Sequence, residues 1–173
     1  MIISIEKLKS FISIDMEDQA LQMRLSALES LIRKYTNNNF QNRNIRTVAK
    51  VVDGTIYGDF SRFKPEDTIQ ISAGVNEGLY VIQSTDGTSA NVDKDVYDVD
   101  NILVTKVEYP DDVVMGVINM LSYDVTMRKK QGIQSETISR HSVAYFNQDG
   151  TNTSMGYPKS LVGFLEPYRR ARF

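Results

Sequence analysis

His141 is the chain's single histidine, and only a histidine side chain ordinarily changes charge near neutral pH. No carboxylate stands beside it at a ligand spacing, so a histidine-based site would have to recruit partners from distant segments, and an exposed residue in a polar tail is the simpler reading. Asp93, Asp95, Asp98 and Asp100 form the densest acidic group. A calcium loop needs a central glycine and a terminal bidentate glutamate, and neither occurs at the required offset. Placed on a strand, Asp93 and Asp95 share one face while Val92, Val96 and Val99 are free to pack elsewhere, which describes a solvated strand edge that discourages edge pairing. Ser135, Ser139 and Ser142 have no base in range, there is no Gly-x-Ser-x-Gly turn, and no glycine-rich phosphate loop runs into Lys and Ser or Thr. With no cysteine, thiolate chemistry and disulfides are excluded. The expectation is a protein without catalytic, cofactor or metal residues. Arg169, Arg170 and Arg172, with Tyr168 and Phe173, remain as a recognition set. Guanidinium groups pair with phosphate and aromatic rings stack on bases, but the same residues suit an acidic groove on a protein, the reading favoured by the net charge of −2.

At 173 residues the chain suits one ordinary domain, or a small helical domain with an insertion, and its 41% hydrophobic and 24% charged residues match a globular protein. Apolar runs are too short for a membrane span, and the start lacks the basic-then-apolar layout of a signal peptide, so the protein is expected to stay where it is made. Charge is unevenly spread. Residues 46–108 hold 6 Lys and Arg against 11 Asp and Glu, whereas residues 128–173 hold 8 against 3. The two regions therefore differ in sign, which serves either to solvate separate faces or to steer docking.

Leu21, Leu25, Leu28, Ile32 and Tyr35 follow helical spacing and predict one long helix. Asp15 or Ser13 is its expected cap, Glu17 and Asp18 its acidic first turn, and Asn37, Asn38 and Asn39 its stop. A shorter helix over 4–11 should pack Ile5, Leu8 and Ile12 against that stripe. From Thr47 to Tyr109 the texture is β: Asp53-Gly54 and Asp86-Gly87 are hairpin turns, and Ile69 with Ile71, and Leu103 with Thr105 and Val107, alternate with a period of two. Five or six strands in an antiparallel barrel or sandwich fit. Pro110, Asp111 and Asp112 open a further helix to about Lys130, whose main stripe is Val113, Val114, Val117, Ile118, Leu121 and Val125. Met120, Tyr123 and Met127 form a second stripe, expected to meet a neighbouring subunit. The fold class expected is α+β: a small bundle of three main helices with an inserted antiparallel barrel or sandwich and an extended carboxy-terminal tail ending in a short helix. The boundaries are 1–45 and 110–132 for the helical body, 46–109 for the β insertion and 133–173 for a docking tail. Residues 133–156 are polar enough to be expected without fixed structure in the free protein, and Val143, Tyr145 and Phe146 alternate as in a strand added to another sheet.

The tail opens on Ser135-Glu136-Thr137-Ile138, continues through Ser142 and Tyr145, and closes on Gly156-Tyr157-Pro158 and Pro167-Tyr168-Arg169-Arg170. Together with the two helices from Ile5 to Phe40, this order resembles the head-tail connector (adaptor) proteins of long-tailed phages, which form a ring under the portal. Residues 46–109 lie largely outside the resemblance. It implies a structural virion protein of the neck, assembled in the host cytoplasm and located at the head-tail interface, that performs no reaction. It also implies a homo-oligomeric ring of about twelve copies matching the portal, with genomic DNA passing through the bore. Its partners would be the portal protein and a downstream neck, stopper or tail-completion protein, with no membrane. Tyr157, Pro158, Leu161, Phe164, Leu165, Tyr168, Arg169 and Arg170 are the expected portal-docking residues, and Met120, Tyr123 and Met127 the subunit contact. The alternative is a DNA-binding packaging or head-completion protein.

Overall fold

A computed structural model of the chain describes residues 2–72, 74–126, 135–138, 141–144 and 152–171. They fall into two compact units, one of Met1–Ser4 and Asn38–Tyr109, the other of Ile5–Asn37 and Pro110–Phe173.

The first unit is a closed antiparallel barrel. Its strands are β1 (Gln41–Val52), β2 (Thr55–Tyr57), β3 (Thr68–Ser72), β4 (Gly78–Thr85), β5 (Ser89–Val92) and β6 (Val99–Val107), in the order β1-β2-β5-β4-β3-β6 with β6 returning to β1. Closure leaves no unpaired edge, which removes the liability of an open sheet. The interior is filled from every strand: Val51, Ile56, Ile69, Ile71, Ile82, Ala90, Ile102 and Val104 point inward, and Phe60 and Phe63, tilted against each other at 5.1 Å, come from the segment between β2 and β3. Val96, on the loop between β5 and β6, joins the same core. Two tight turns set the register. Asp53 and Gly54 both take positive φ (49° and 74°), as a two-residue hairpin loop requires, and Val52 pairs with Thr55. Before Gly87 (φ 88°), the Asp86 carboxylate accepts the Thr88 and Ser89 N–H groups at 2.8 and 2.6 Å. Those backbone bonds first, and the Thr88 hydroxyl after them, hold its pKa down at about 2.

The second unit carries α1 (Ile5–Phe11), α2 (Asp18–Thr36), α3 (Asp111–Thr126) and the short α4 (Lys159–Val162), which runs into a 3-10 helix, Gly163–Tyr168. Two small antiparallel hairpins belong to it: β7 (Ser135–Ile138) with β8 (His141–Ala144), and β9 (Thr153–Ser154) with β10 (Tyr157–Pro158). Leu21, Leu25, Leu28 and Ile32 are all buried along α2, each worth about 1.5–3 kcal/mol of transfer from water. Asn37 ends α2 in the left-handed region (φ 49°), its N–H on the Arg33 carbonyl. At the other end Glu17, not Asp15 or Ser13, holds the cap position, with no side-chain bond.

The expected fold class needs correcting. A three-helix bundle with the strands as an accessory is not what forms, because the closed six-stranded barrel dominates and the four helices of the described residues are short. The physical cause is long-range pairing: β1 starts at Gln41 and pairs along β6 from Gln41 opposite Val107 to Val51 opposite Val99, which draws residues 38–45 into the barrel unit. Ile2 and Ile3, buried at 7% and 4% exposure, also belong to that unit and not to the helices.

Candidate functional site

The recognition set singled out by the sequence lies on the segment 152–171, and its folding decides which side chains remain available. Met155 and Gly156 take positive φ at the turn between β9 and β10, and Pro158 stands at the cap position of α4 with an extended ψ of 136°. From there the chain is pinned to α2 and α3 by polar bonds. The Tyr157 hydroxyl donates to Asp124 Oδ2 at 2.8 Å, and its ring lies 6.0 Å from that of Tyr123. The Tyr35 hydroxyl donates to Glu166 Oε1 at 2.7 Å. Tyr168 donates its hydroxyl to the Asp112 carboxylate, 2.8 and 2.9 Å from the two oxygens. The Arg170 N–H donates to the Thr36 carbonyl, and Asn37 Nδ2 to the Ala171 carbonyl, so the stopped end of α2 also receives the end of the described chain.

Apolar packing runs through the same contacts. Val162 and Leu165 are buried, and the Phe164 ring points end-on at Gly116 of α3, occupying the space where a β-carbon would be. Glycine at this helix position is explained by that close approach.

At the exposed end, Arg169 ties to Glu166 at 3.0 Å and its guanidinium lies 5.2 Å from the centre of the Tyr35 ring. The Tyr35 hydroxyl, and after it Arg169, hold the Glu166 carboxyl below its usual range, while Glu166 pushes the Arg169 guanidinium up. The Tyr168 hydroxyl is pushed up chiefly by its bond to Asp112. Glu166 and Arg169 are exposed, so their shifts record geometry more than stability.

The expected docking residues therefore separate. Tyr157, Pro158 and Leu165 are buried in their own unit, Leu161, Phe164 and Tyr168 are half-buried there, and Arg169 and Arg170 are exposed. The expectation of an extended docking tail is corrected for 152–171, where Tyr157, Val162 and Leu165 are buried in their own unit. A helix too short to stand alone is stable here because α2 and α3 supply its apolar partners. Of the second stripe on α3, Met120 is wholly buried in its own unit, which corrects its assignment to a subunit surface; Tyr123 is half-buried, and Met127 lies outside the described residues. Ser135, Ser142, His141 and Val143 fall on β7 and β8, while Ser139, Tyr145, Phe146, Arg172 and Phe173 lie outside the described residues.

The acidic group is not on a strand edge. Asp93, Asp95 and Asp98 lie in the loop between β5 and β6, and only Asp100 is on β6. Asp93 accepts the Val81 N–H at 2.7 Å and Asp98 that of Asp53 at 2.9 Å. Aspartates that bond backbone N–H groups in this way offer the chain an alternative to the ladder, which is why the strand breaks there. Among the described residues no three His, Asp or Glu side chains gather as a metal site, and no helix is long and apolar enough to cross a membrane.

Gly116, Asp124 and Glu166 are not announced by the sequence, and Asp112 is announced only as a helix opener. Three of them, Asp112, Asp124 and Glu166, follow from their partners, since a tyrosine drawn into a fold needs an acceptor for its hydroxyl. No family model matches this chain, and no curated protein matches it either.

Proposed function

We propose that this chain is a structural protein of a tailed-phage virion, assembling as a ring under the portal and joining the DNA-filled head to the neck or tail. One observation carries the reading. The carboxy-terminal segment is fixed on α2 and α3 through Tyr157, Phe164, Leu165 and Tyr168, so that the cationic end at Arg169 and Arg170 is presented from a preorganised surface. Preorganisation lowers the ordering cost of binding, and ring geometry then multiplies a weak contact through effective concentration. Arg169, held beside the Tyr35 ring, and the exposed Arg170 match an acidic groove with apolar walls. In this reading Arg169, Arg170 and the half-buried Leu161 face the portal, while Tyr157 and Leu165 support them from beneath. The order of segments that resembles the connector proteins adds to the argument.

The test is direct binding to the portal. Purified protein mixed with the portal of the same phage should decorate it as a ring in electron micrographs, and Arg169→Glu with Arg170→Glu should weaken capture in moderate salt. A portal that stays bare at high protein concentration would sink the reading. A phage carrying the double substitution should accumulate filled heads that leak, together with free tails.

A further inference from the structure

Two exposed apolar patches on the barrel carry opposite charge. The first is the outer face of β1, β2 and β6. Arg46, Val48 and Lys50 are exposed in alternation along β1, while Ala49 and Val51 between and beyond them fill the interior. Val48, 65% exposed, stands directly opposite Leu103, and Lys50 stands opposite the exposed Tyr57. These three strands hold Arg43, Arg46, Lys50 and Lys106 against Asp100 alone. Among the described residues Lys106 is paired, with Asp67 at 2.9 Å, whereas Arg43, Arg46 and Lys50 project into water without an ion pair.

The second patch is one end of the barrel. The antiparallel registers bring three connections there: the turn 53–54 between β1 and β2, residues 74–77 before β4, and the loop 93–98 between β5 and β6. Val75 and Tyr97 stand out from this end at 71% and 67% exposure. Tyr97 is held in place. Asn76, itself 1% exposed, donates from Nδ2 to the Tyr97 carbonyl at 2.7 Å and accepts the Tyr97 N–H at 2.8 Å. A preorganised aromatic beside an exposed aliphatic side chain is the composition of a protein-binding hot spot. The three connections carry Asp53, Glu77, Asp93, Asp95 and Asp98 against Lys94 alone, and the Lys94 ammonium is bonded to the Leu79 carbonyl at 2.7 Å.

The basic face and the acidic end are complementary in charge and both offer apolar side chains. They belong to one closed barrel, whose strand pairing holds them apart, so they cannot meet within a chain. We infer that the end carrying Val75 and Tyr97 docks on the outer face of β1, β2 and β6 of a second copy of this chain. Arg169 and Arg170 take no part and stay free for the portal. A contact between unlike surfaces repeats from copy to copy, and closes into a ring when the rotation between copies divides a full turn. The inference rests on the ring reading above and supplies its subunit contact, but its test needs no portal.

Sedimentation velocity of the full chain in low salt, from about 10 μM to about 1 mM, should show association that grows with concentration and weakens with salt. Arg46→Glu with Lys50→Glu should weaken it about tenfold or more, because like charges then face each other, and Glu77→Lys with Asp95→Lys should do the same. Asp93 and Asp98 are left intact because their carboxylates hold backbone N–H groups. An equimolar mixture of the two variants should associate again: one kind of junction joins two reversed surfaces, and the other joins two native ones. Tyr97→Ser should weaken association while leaving its salt dependence unchanged. Circular dichroism checks that each variant folds. Where a reversed pair does not, Arg46→Gln with Lys50→Gln, or Glu77→Gln with Asp95→Asn, replaces it and should weaken association and flatten its salt dependence. A wild-type chain that stays monomeric at the highest concentration overturns the inference. So does association indifferent to either charge pair, which assigns that surface to another partner, or a mixture that fails to recover. Portal capture measured with the same proteins separates the two readings: self-association without portal capture sinks the ring-on-portal reading alone, and capture without self-association sinks this one.

Discussion

Replacing Gly116 with Ala tests whether the carboxy-terminal segment is part of the folded core. In an open helix the exchange stabilises, because alanine is favoured over glycine by about 0.8–1.0 kcal/mol. Here the new β-carbon would collide with Cζ, Cε1 and Cε2 of Phe164. The ring cannot simply retreat with its backbone, since Val162 and Leu165 are buried on either side of it and Tyr168 and Glu166 are bonded to Asp112 and Tyr35. It must rotate out or push α3 away, and overpacking of this kind costs about 1–3 kcal/mol. The net effect ranges from near neutral to a loss of about 2 kcal/mol, set by those two figures. In a Phe164→Ala background the collision is gone, and Gly116→Ala should regain its helix preference and stabilise by about 1 kcal/mol. The signature is a coupling of about 1–3 kcal/mol between the two positions in a double-mutant cycle. Urea unfolding followed by far-ultraviolet circular dichroism, with the midpoint and slope fitted separately, measures it. If Gly116→Ala stabilises equally with Phe164 present and absent, the ring does not occupy that notch and the seating of 152–171 is wrong.

Two further perturbations address other parts of the fold. Tyr157→Phe removes the hydroxyl that donates to the buried Asp124 carboxylate and should cost about 1–3 kcal/mol of the second unit's stability, as read by urea unfolding; a neutral outcome would show that water or another donor replaces it at no cost. The Asp86 carboxyl is depressed from 3.8 to about 2 in the fold, so its contribution is complete above the unfolded value and is lost as pH falls through the interval from 3.8 to about 2. Carboxyl-carbon NMR should place its midpoint near the lower figure, Asp86→Asn should flatten the acid limb of barrel stability, and a midpoint at 3.8 would refute the turn geometry.

What the sequence disclosed was local. The stripe Leu21, Leu25, Leu28 and Ile32 identifies α2, and the asparagines after it mark the stop because Asn37 accepts a left-handed backbone. Asp53-Gly54 and Asp86-Gly87 mark turns, since both carry the positive φ those loops need. The missing part was long-range. Nothing in Gln41 to Arg46 announces a strand, and that stretch becomes one because β6, more than fifty residues later, supplies the ladder. The aspartates after β5 read as a strand edge by alternation, yet their carboxylates bond backbone N–H groups and hold a loop. The tail looked self-sufficient only as a docking arm because its apolar residues are few; the notch at Gly116 that receives Phe164 exists only once α3 and the 3-10 helix are brought together.

The closed order β1-β2-β5-β4-β3-β6 also fixes a sequence of events during synthesis. β1 contacts β2 through only its last three residues, Lys50 to Val52, and the rest of its length waits for β6. At ribosomal rates of about 5–20 residues per second, roughly 3–11 seconds separate the emergence of the two strands. For that time β1 is a long, unladdered segment with valines at 48, 51 and 52, and its lysine and arginines are the only side chains that discourage a second nascent chain from pairing with it. Barrel closure is thus slow by construction, dominated by a loop that must be ordered before its pairing can compensate. Arg43, Arg46 and Lys50 are the charges on β1 that would oppose pairing between newly made copies until the barrel is shut.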